Sequence, residues 1–248
     1  MKRILNSAFE SIYINCSYRI IKVVCRMFFR TFSSSARKWG HILDNVDFVL
    51  HVGAQFGQER LMYDIFNLQV IWIEAIEDSY LKLVKNIGPY KKQSAINSLI
   101  TESDNEKITF NIASNQGASS SILPLHLHKE AWNEIYFESQ VVMESQSLST
   151  ILDRVGHIGE RRLLVLDTQG SELMILSGAR EILKNFDYIL VECADFEAYK
   201  GGSTHDSIDS FMSQNEFKKI DSEVFARIEN LGNYMNVLYS YEGEKTYQ

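Results

Sequence analysis

Proline and cysteine are scarce in this chain, with 2 Pro and 3 Cys among 248 residues. Together with only 13 Gly, this excludes a collagenous repeat, a Pro-rich linker and a largely low-complexity chain. Cys16, Cys25 and Cys193 are odd in number and show no CxxC spacing. Neither a disulfide framework nor a thiolate zinc site is therefore expected, and a reducing, cytoplasmic compartment is. Long apolar runs are missing too. Arg19, Lys22, Arg26 and Arg30 interrupt the most apolar N-terminal stretch before it reaches the roughly 18 residues a bilayer span needs. Asn6, Ser7 and Glu10 break up the apolar region of a secretory leader, so export is not expected.

What the chain does have is 45% hydrophobic residues, enough for one sizeable core, and a net charge of -7 that is unevenly spread. Residues 1–38 carry +7 and the remainder carries -14. No basic footprint for nucleic acid follows from that distribution. On a helix the four cations between residues 19 and 30 fall within roughly an 80° sector, opposite Ile20, Val24, Met27 and Phe28. Residues 1–40 thus read as a basic helical extension. Either it packs as an ordinary first helix or it contacts an anionic lipid surface peripherally.

From residue 41 onward, apolar runs alternate with helical spacing. Val46 to His51 reads as a buried strand, followed by Gly53, Gly57 and a helix bearing Leu61, Met62, Ile65 and Phe66. Val70 to Ile73, ending at Glu74, is a second strand, and Ser94 to Ile100 a third. Residues 107–113 form an extra strand before a polar, Ser-rich insertion at about 114–140. Leu163 to Leu166 ends at Asp167, Tyr188 to Val191 ends at Glu192, and Phe217 to Ile220 with Tyr234 to Tyr239 forms an antiparallel closing pair. Alternating strands and helices imply an α/β domain over 41–248, with a mostly parallel sheet covered on both faces.

In such sheets ligands bind beyond the carboxyl ends of the strands. Gly53 and Gly57 offer close backbone approach there, and Glu74 follows Gly53 by 21 residues, near the interval of a ribose-binding carboxylate. A full GxGxxG is missing, which favours a nucleoside cofactor without a pyrophosphate. His51, at a strand end, is expected to stay neutral and to orient the turn. His126 and His128 have no neighbouring Cys or Asp and read as surface polar sequence rather than metal ligands. Ser119, Ser120 and Ser121 lack a nucleophile elbow, so hydrolysis is disfavoured.

The ordered pieces His51-Val52-Gly53-Ala54-Gln55-Phe56-Gly57-Gln58, Trp72-Ile73-Glu74, Asn115 to Ser121 and Asp167-Thr168-Gln169-Gly170-Ser171-Glu172 together resemble the FkbM-type methyltransferases over roughly residues 45–240. Gln55 departs from the Asn usual at that position. The resemblance implies a Rossmann-like methyltransferase sheet and S-adenosylmethionine as cofactor, contacted by His51, Gly53, Ala54, Gly57, Gln58, Glu74, Ala75, Asn97 and Gln169. It implies methyl transfer to an oxygen of a sugar, glycan or small metabolite. Asp167 is then the first choice for general base or acceptor-positioning residue, with Glu192 sharing the site. A divalent cation held by these two carboxylates is the less favoured alternative. Two other readings stay open, a nicotinamide-dependent oxidoreductase or epimerase and a non-catalytic membrane-surface module. The acceptor and the oligomeric state leave no trace in the sequence.

Overall fold

The structure, a computed structural model, describes residues 34–156 and 159–244. The cationic stretch 19–30 lies outside them. Strands β1 (Phe48–Val52), β2 (Gln69–Glu74), β3 (Gln93–Asn97), β7 (Arg162–Leu166), β8 (Tyr188–Ala194), β9 (Phe217–Ile228) and β10 (Gly232–Tyr241) form one sheet in the order β3-β2-β1-β7-β8-β10-β9. All pairings are parallel except those of β10, which runs antiparallel to both β8 and β9. Helices α1 (Ser34–Leu43), α2 (Arg60–Ile65) and α3 (Glu77–Ile87) pack on one face. Helices α5 (Leu148–Val155), α6 (Glu172–Gly178), α7 (Arg180–Leu183) and α8 (His205–Gln214) pack on the other, and a single turn, α4 (His128–Ala131), lies outside this sandwich. Among the described residues no helix is long and apolar enough to cross a membrane.

Strands β1, β2 and β7 read as continuous apolar runs because both their faces are covered. Along β1, Phe48, Leu50 and Val52 enter the layer shared with Ile151, Ile175 and Met212, while Val49 enters the layer of Trp39, Met62 and Trp72. Helix α1 runs across position 40, and its Trp39, Ile42 and Leu43 are core residues of the second layer.

Two features differ from the sequence reading. The expected strand Ser94 to Ile100 is two strands, because the chain leaves the main sheet at Ser98 and Leu99–Ile100 becomes β4 of a second, three-stranded sheet, β4-β6-β5. The insertion is also more regular at its end, since Phe137–Gln146 forms β6, antiparallel to β5 (Lys107–Ala113). Most of β6 is solvent-exposed, so no apolar alternation marks it in the sequence.

The chain order reverses between β1 and β7, where β2 and β3 depart to one side and β8 to the other. That switch point opens a crevice beyond the carboxyl ends of the strands. The two ends are pressed together: the Asp167 N–H donates to the Val52 carbonyl at 3.0 Å, and a Cβ on Gly53 would lie 1.8 Å from the Asp167 carbonyl oxygen. Gly53 also has φ +85°, which side chains disfavour. Gly53→Ala is expected to cost roughly 3 kcal/mol or more of stability. Gly201→Ala has a similar φ of +75° but open space around it, and should cost only about 1 kcal/mol. Urea unfolding of the two variants side by side checks the difference.

Candidate active site

The crevice has a volume of about 310 Å³ and is floored by the ends of β1, β2, β7 and β8. Among the described residues four carboxylates line it, Glu59, Glu74, Asp167 and Glu192, and no Lys or Arg does. Gly117, Ala118 and Ser120 of the insertion close one side.

Glu74 ends β2 and is buried. Its two oxygens accept backbone N–H bonds from Gln55 at 2.7 Å and from Ile76 at 2.8 Å. Desolvation pushes its pKa up to about 7, opposed by those backbone donors. Each oxygen retains a further acceptor direction, so the group is fixed in place without being used up.

Asp167 directly follows β7, Glu192 lies on the neighbouring β8, and the two are joined by one amide. Gln169 Nε2 donates to Asp167 Oδ1 at 2.7 Å and lies 3.4 Å from Glu192 Oε1. Burial raises the Asp167 pKa to about 7, helped by the charges of Glu172, Glu59 and Glu74. Burial, and then the Asp167 charge, raises Glu192 well above the usual carboxylate range. Glu172, by contrast, is a brace. It is buried and accepts from the Thr168 and Gly170 N–H groups and from the Ser203 hydroxyl at 2.7 Å, closing the loop that carries Gln169. Among the described residues no group of three or more His, Cys, Asp or Glu side chains could hold a metal ion.

Raised carboxylate pKa values have a defined sign. The folded state keeps protons on Asp167 and Glu74 that the unfolded chain releases near pH 4, so this contribution to stability is full below about pH 4 and is lost as the pH rises to about 7. Asp167→Asn removes one such group. The melting temperature of the variant relative to wild type should therefore climb between about pH 4 and about pH 7, by several degrees. A flat difference across that range would contradict the assignment.

The other predicted residues divide. His51, Gly53, Ala54, Gln58, Ala75 and Gln169 line the crevice, whereas Gly57 and Asn97 do not. Gly57 is needed for internal packing, since a Cβ there would sit 2.7 Å from Leu83 Cδ1, and Gly53 spares the Asp167 backbone. Both glycines thus make room for protein, and Gly53 also lines the crevice. The Asn97 side chain donates to the Glu74 and Ala75 carbonyls at 2.8 and 2.9 Å and holds the end of β2. His51 is neutral, its pKa lowered by burial to about 3, but it bonds Tyr63 of α2 at 3.1 Å and stacks on Trp72, so it orients the helix rather than the glycine turn. Gln58 and Gln55 hydrogen-bond each other through their side chains.

His128 is not surface sequence. It is buried, with Nδ1 2.7 Å from the Tyr234 hydroxyl and Nε2 3.0 Å from the Ser119 hydroxyl, whereas His126 is exposed beside Glu197. The three serines cap no helix and are all buried. The Ser121 hydroxyl donates to the Gln169 carbonyl at 2.7 Å, and that of Ser120 accepts from the Ala113 N–H. Sequence reasoning missed Glu59 and Tyr199. An acid two residues before the first apolar residue of a helix could have flagged Glu59, but nothing local marks Tyr199.

A profile of the methyltransferase FkbM domain matches residues 51–219. No curated protein matches the sequence significantly. Among solved structures, magnesium protoporphyrin IX methyltransferase from Synechocystis PCC 6803, with bound S-adenosylmethionine, aligns at a TM-score of 0.50 and 8% identity over 92% of this chain and 86% of its own. Streptococcus pneumoniae Sp1610, a candidate tRNA (m1A22) methyltransferase in complex with S-adenosyl-L-methionine, aligns at 0.48 and 12% identity over 87% and 75%. The first of these likenesses shows the methyltransferase fold. The profile match sets aside the nicotinamide-dependent alternative.

Proposed function

The chain belongs to the FkbM methyltransferase family, and from that premise we propose that it transfers the methyl group of S-adenosylmethionine to a hydroxyl oxygen of a sugar, a glycan or a small metabolite. The carrying observation is the half-buried pair Asp167 and Glu192 at the switch point, with Asp167 tuned to about 7. A base working near neutral pH needs a pKa close to that.

The residues present fit the cofactor. Glu74, anchored on both oxygens by backbone donors, suits the ribose diol, and a crevice lined, among the described residues, by four carboxylates and no Lys or Arg suits a cationic ligand. When bound, the cofactor supplies an electrophilic methyl group on a sulfonium. Asp167 orients the acceptor hydroxyl and takes its proton as the oxygen–methyl bond forms and the sulfur–methyl bond breaks, leaving a neutral thioether. Two like-charged neighbours do not both ionise readily, so near neutrality the pair shares a proton, and Glu192 as the protonated member can donate a hydrogen bond to a second acceptor oxygen. The same acidic lining repels phosphates, which supports a neutral acceptor over a nucleic acid.

Incubation with methyl-labelled S-adenosylmethionine and separate glycan, metabolite and RNA fractions tests this reading. Alkali-stable label on carbohydrate or metabolite hydroxyls is expected. Label confined to RNA bases or to carboxyl esters would overturn it.

A further inference from the structure

Gln169 is held in an unusual backbone state, with φ +56° in the left-handed region that a residue bearing a side chain seldom enters. Its surroundings enforce that state. Its main-chain carbonyl accepts from the Ser121 hydroxyl at 2.7 Å, and its side-chain Oε1 accepts from the Tyr199 hydroxyl at 2.9 Å. The opposite end of the amide faces the two acids.

Tyr199 is itself fixed by packing that does not involve the amide. The residue is 2% exposed, its ring stacks on His128 with centroids 5.0 Å apart, and a Cβ on Gly170 would lie 3.0 Å from its own Cβ. Its single hydroxyl hydrogen has two carbonyl oxygens in reach, Gln169 Oε1 at 2.9 Å and the Ser119 main chain at 3.1 Å, and the shorter contact is the one to Gln169. Burial keeps this phenol protonated. A side-chain amide has two orientations of nearly equal shape, and a donor on one side selects the one that points its carbonyl there.

We propose that Tyr199 is a positioning residue for methyl transfer: its O–H holds the Gln169 amide so that the N–H₂ end faces Asp167 and Glu192, which sets the pH at which the pair releases its shared proton. This inference rests on Asp167 being the base. The titratable groups facing the pair otherwise are the acids Glu59, before α2, Glu74, on β2, and Glu172, on α6, together with the neutral His51, on β1, Tyr63, on α2, and Tyr234, on β10. The acids oppose ionisation, and among the described residues lining the crevice there is no cation to favour it. Stabilising the negative charge therefore falls to the Gln169 N–H groups. Without the tyrosine hydroxyl, Oε1 loses its partner, the amide is free to turn, and its carbonyl end then favours protonated carboxyls.

The test combines Tyr199→Phe, Gln169→Ala and the double variant. The acidic limb of the kcat/KM profile should move up by about 0.5–1 pH unit in Y199F, the shift one net hydrogen bond produces, with KM for S-adenosylmethionine within about twofold of wild type. Gln169→Ala should show a similar shift, and adding Y199F to it should move the limb no further. Tyr199→4-aminophenylalanine retains a ring donor and should recover much of the wild-type limb; where Y199F does not fold, its return toward wild type relative to Q169A serves as the comparison. Carboxyl ¹³C titration of Asp167 in the protein without substrate should shift in parallel. Uniform loss of activity at every pH, or an equal further shift in the Q169A background, overturns the role of Tyr199. If wild type transfers no methyl group, the catalytic reading falls and the carboxyl titration alone decides the inference.

Discussion

Asp167→Asn is expected to lower kcat by about two to four orders of magnitude, the usual contribution of a positioned general base. Affinity for S-adenosylhomocysteine should stay within a few-fold, because the residues expected to hold the nucleoside, around Glu74, do not depend on this side chain. Asn keeps the shape and the Oδ1 that accepts from Gln169 at 2.7 Å, so the loop geometry survives. It cannot take a proton. It also removes one of two crowded acids, so the variant should be more stable than wild type at alkaline pH, the common trade between function and stability at tuned sites. Single-turnover kinetics with a saturating acceptor, once identified, separates the loss of chemistry from binding. A D167N enzyme within about fivefold of wild-type kcat would show that the base lies elsewhere, with Glu192 the next residue to replace.

Glu74→Ala should weaken S-adenosylhomocysteine binding by about a hundredfold or more, the equivalent of two charge-assisted hydrogen bonds after partial compensation by water. The effect has a second source in the protein. The Gln55 and Ile76 N–H groups lose their acceptor, so the loops after β1 and β2 lose the carboxylate that ties them together. Glu74→Gln keeps one carbonyl oxygen and should fall between wild type and alanine. Isothermal calorimetry on the three proteins gives the order directly. If E74A binds as well as wild type, the diol is held by something else, and the whole placement of the nucleoside against the end of β2 fails.

Strands β1, β2 and β7 were legible because each is a local run buried on both faces, and the helices because their apolar residues recur at helical spacing. Gly53, Glu74, Asp167 and Glu192 stood out because each follows such a run, which places it at the carboxyl edge. Strand ends were less legible where a polar residue interrupts a strand that continues: β8 runs through Glu192 to Ala194. The split at Ser98 was hidden because leaving one sheet for another changes hydrogen-bond partners and not composition.

The order of the main-sheet strands, the methyltransferase motif and the acids at the strand ends are properties of short segments, and the amino-acid sequence by itself determined them. Tertiary structure decided which of those acids are desolvated, that Gly53 and Gly57 yield space to Asp167 and Leu83, that His128 is buried between Tyr234 and Ser119, and that Tyr199 reaches Gln169 across 30 positions of chain. Burial and long-range hydrogen bonding depend on what the folded chain brings alongside a residue, which its sequence neighbours do not encode.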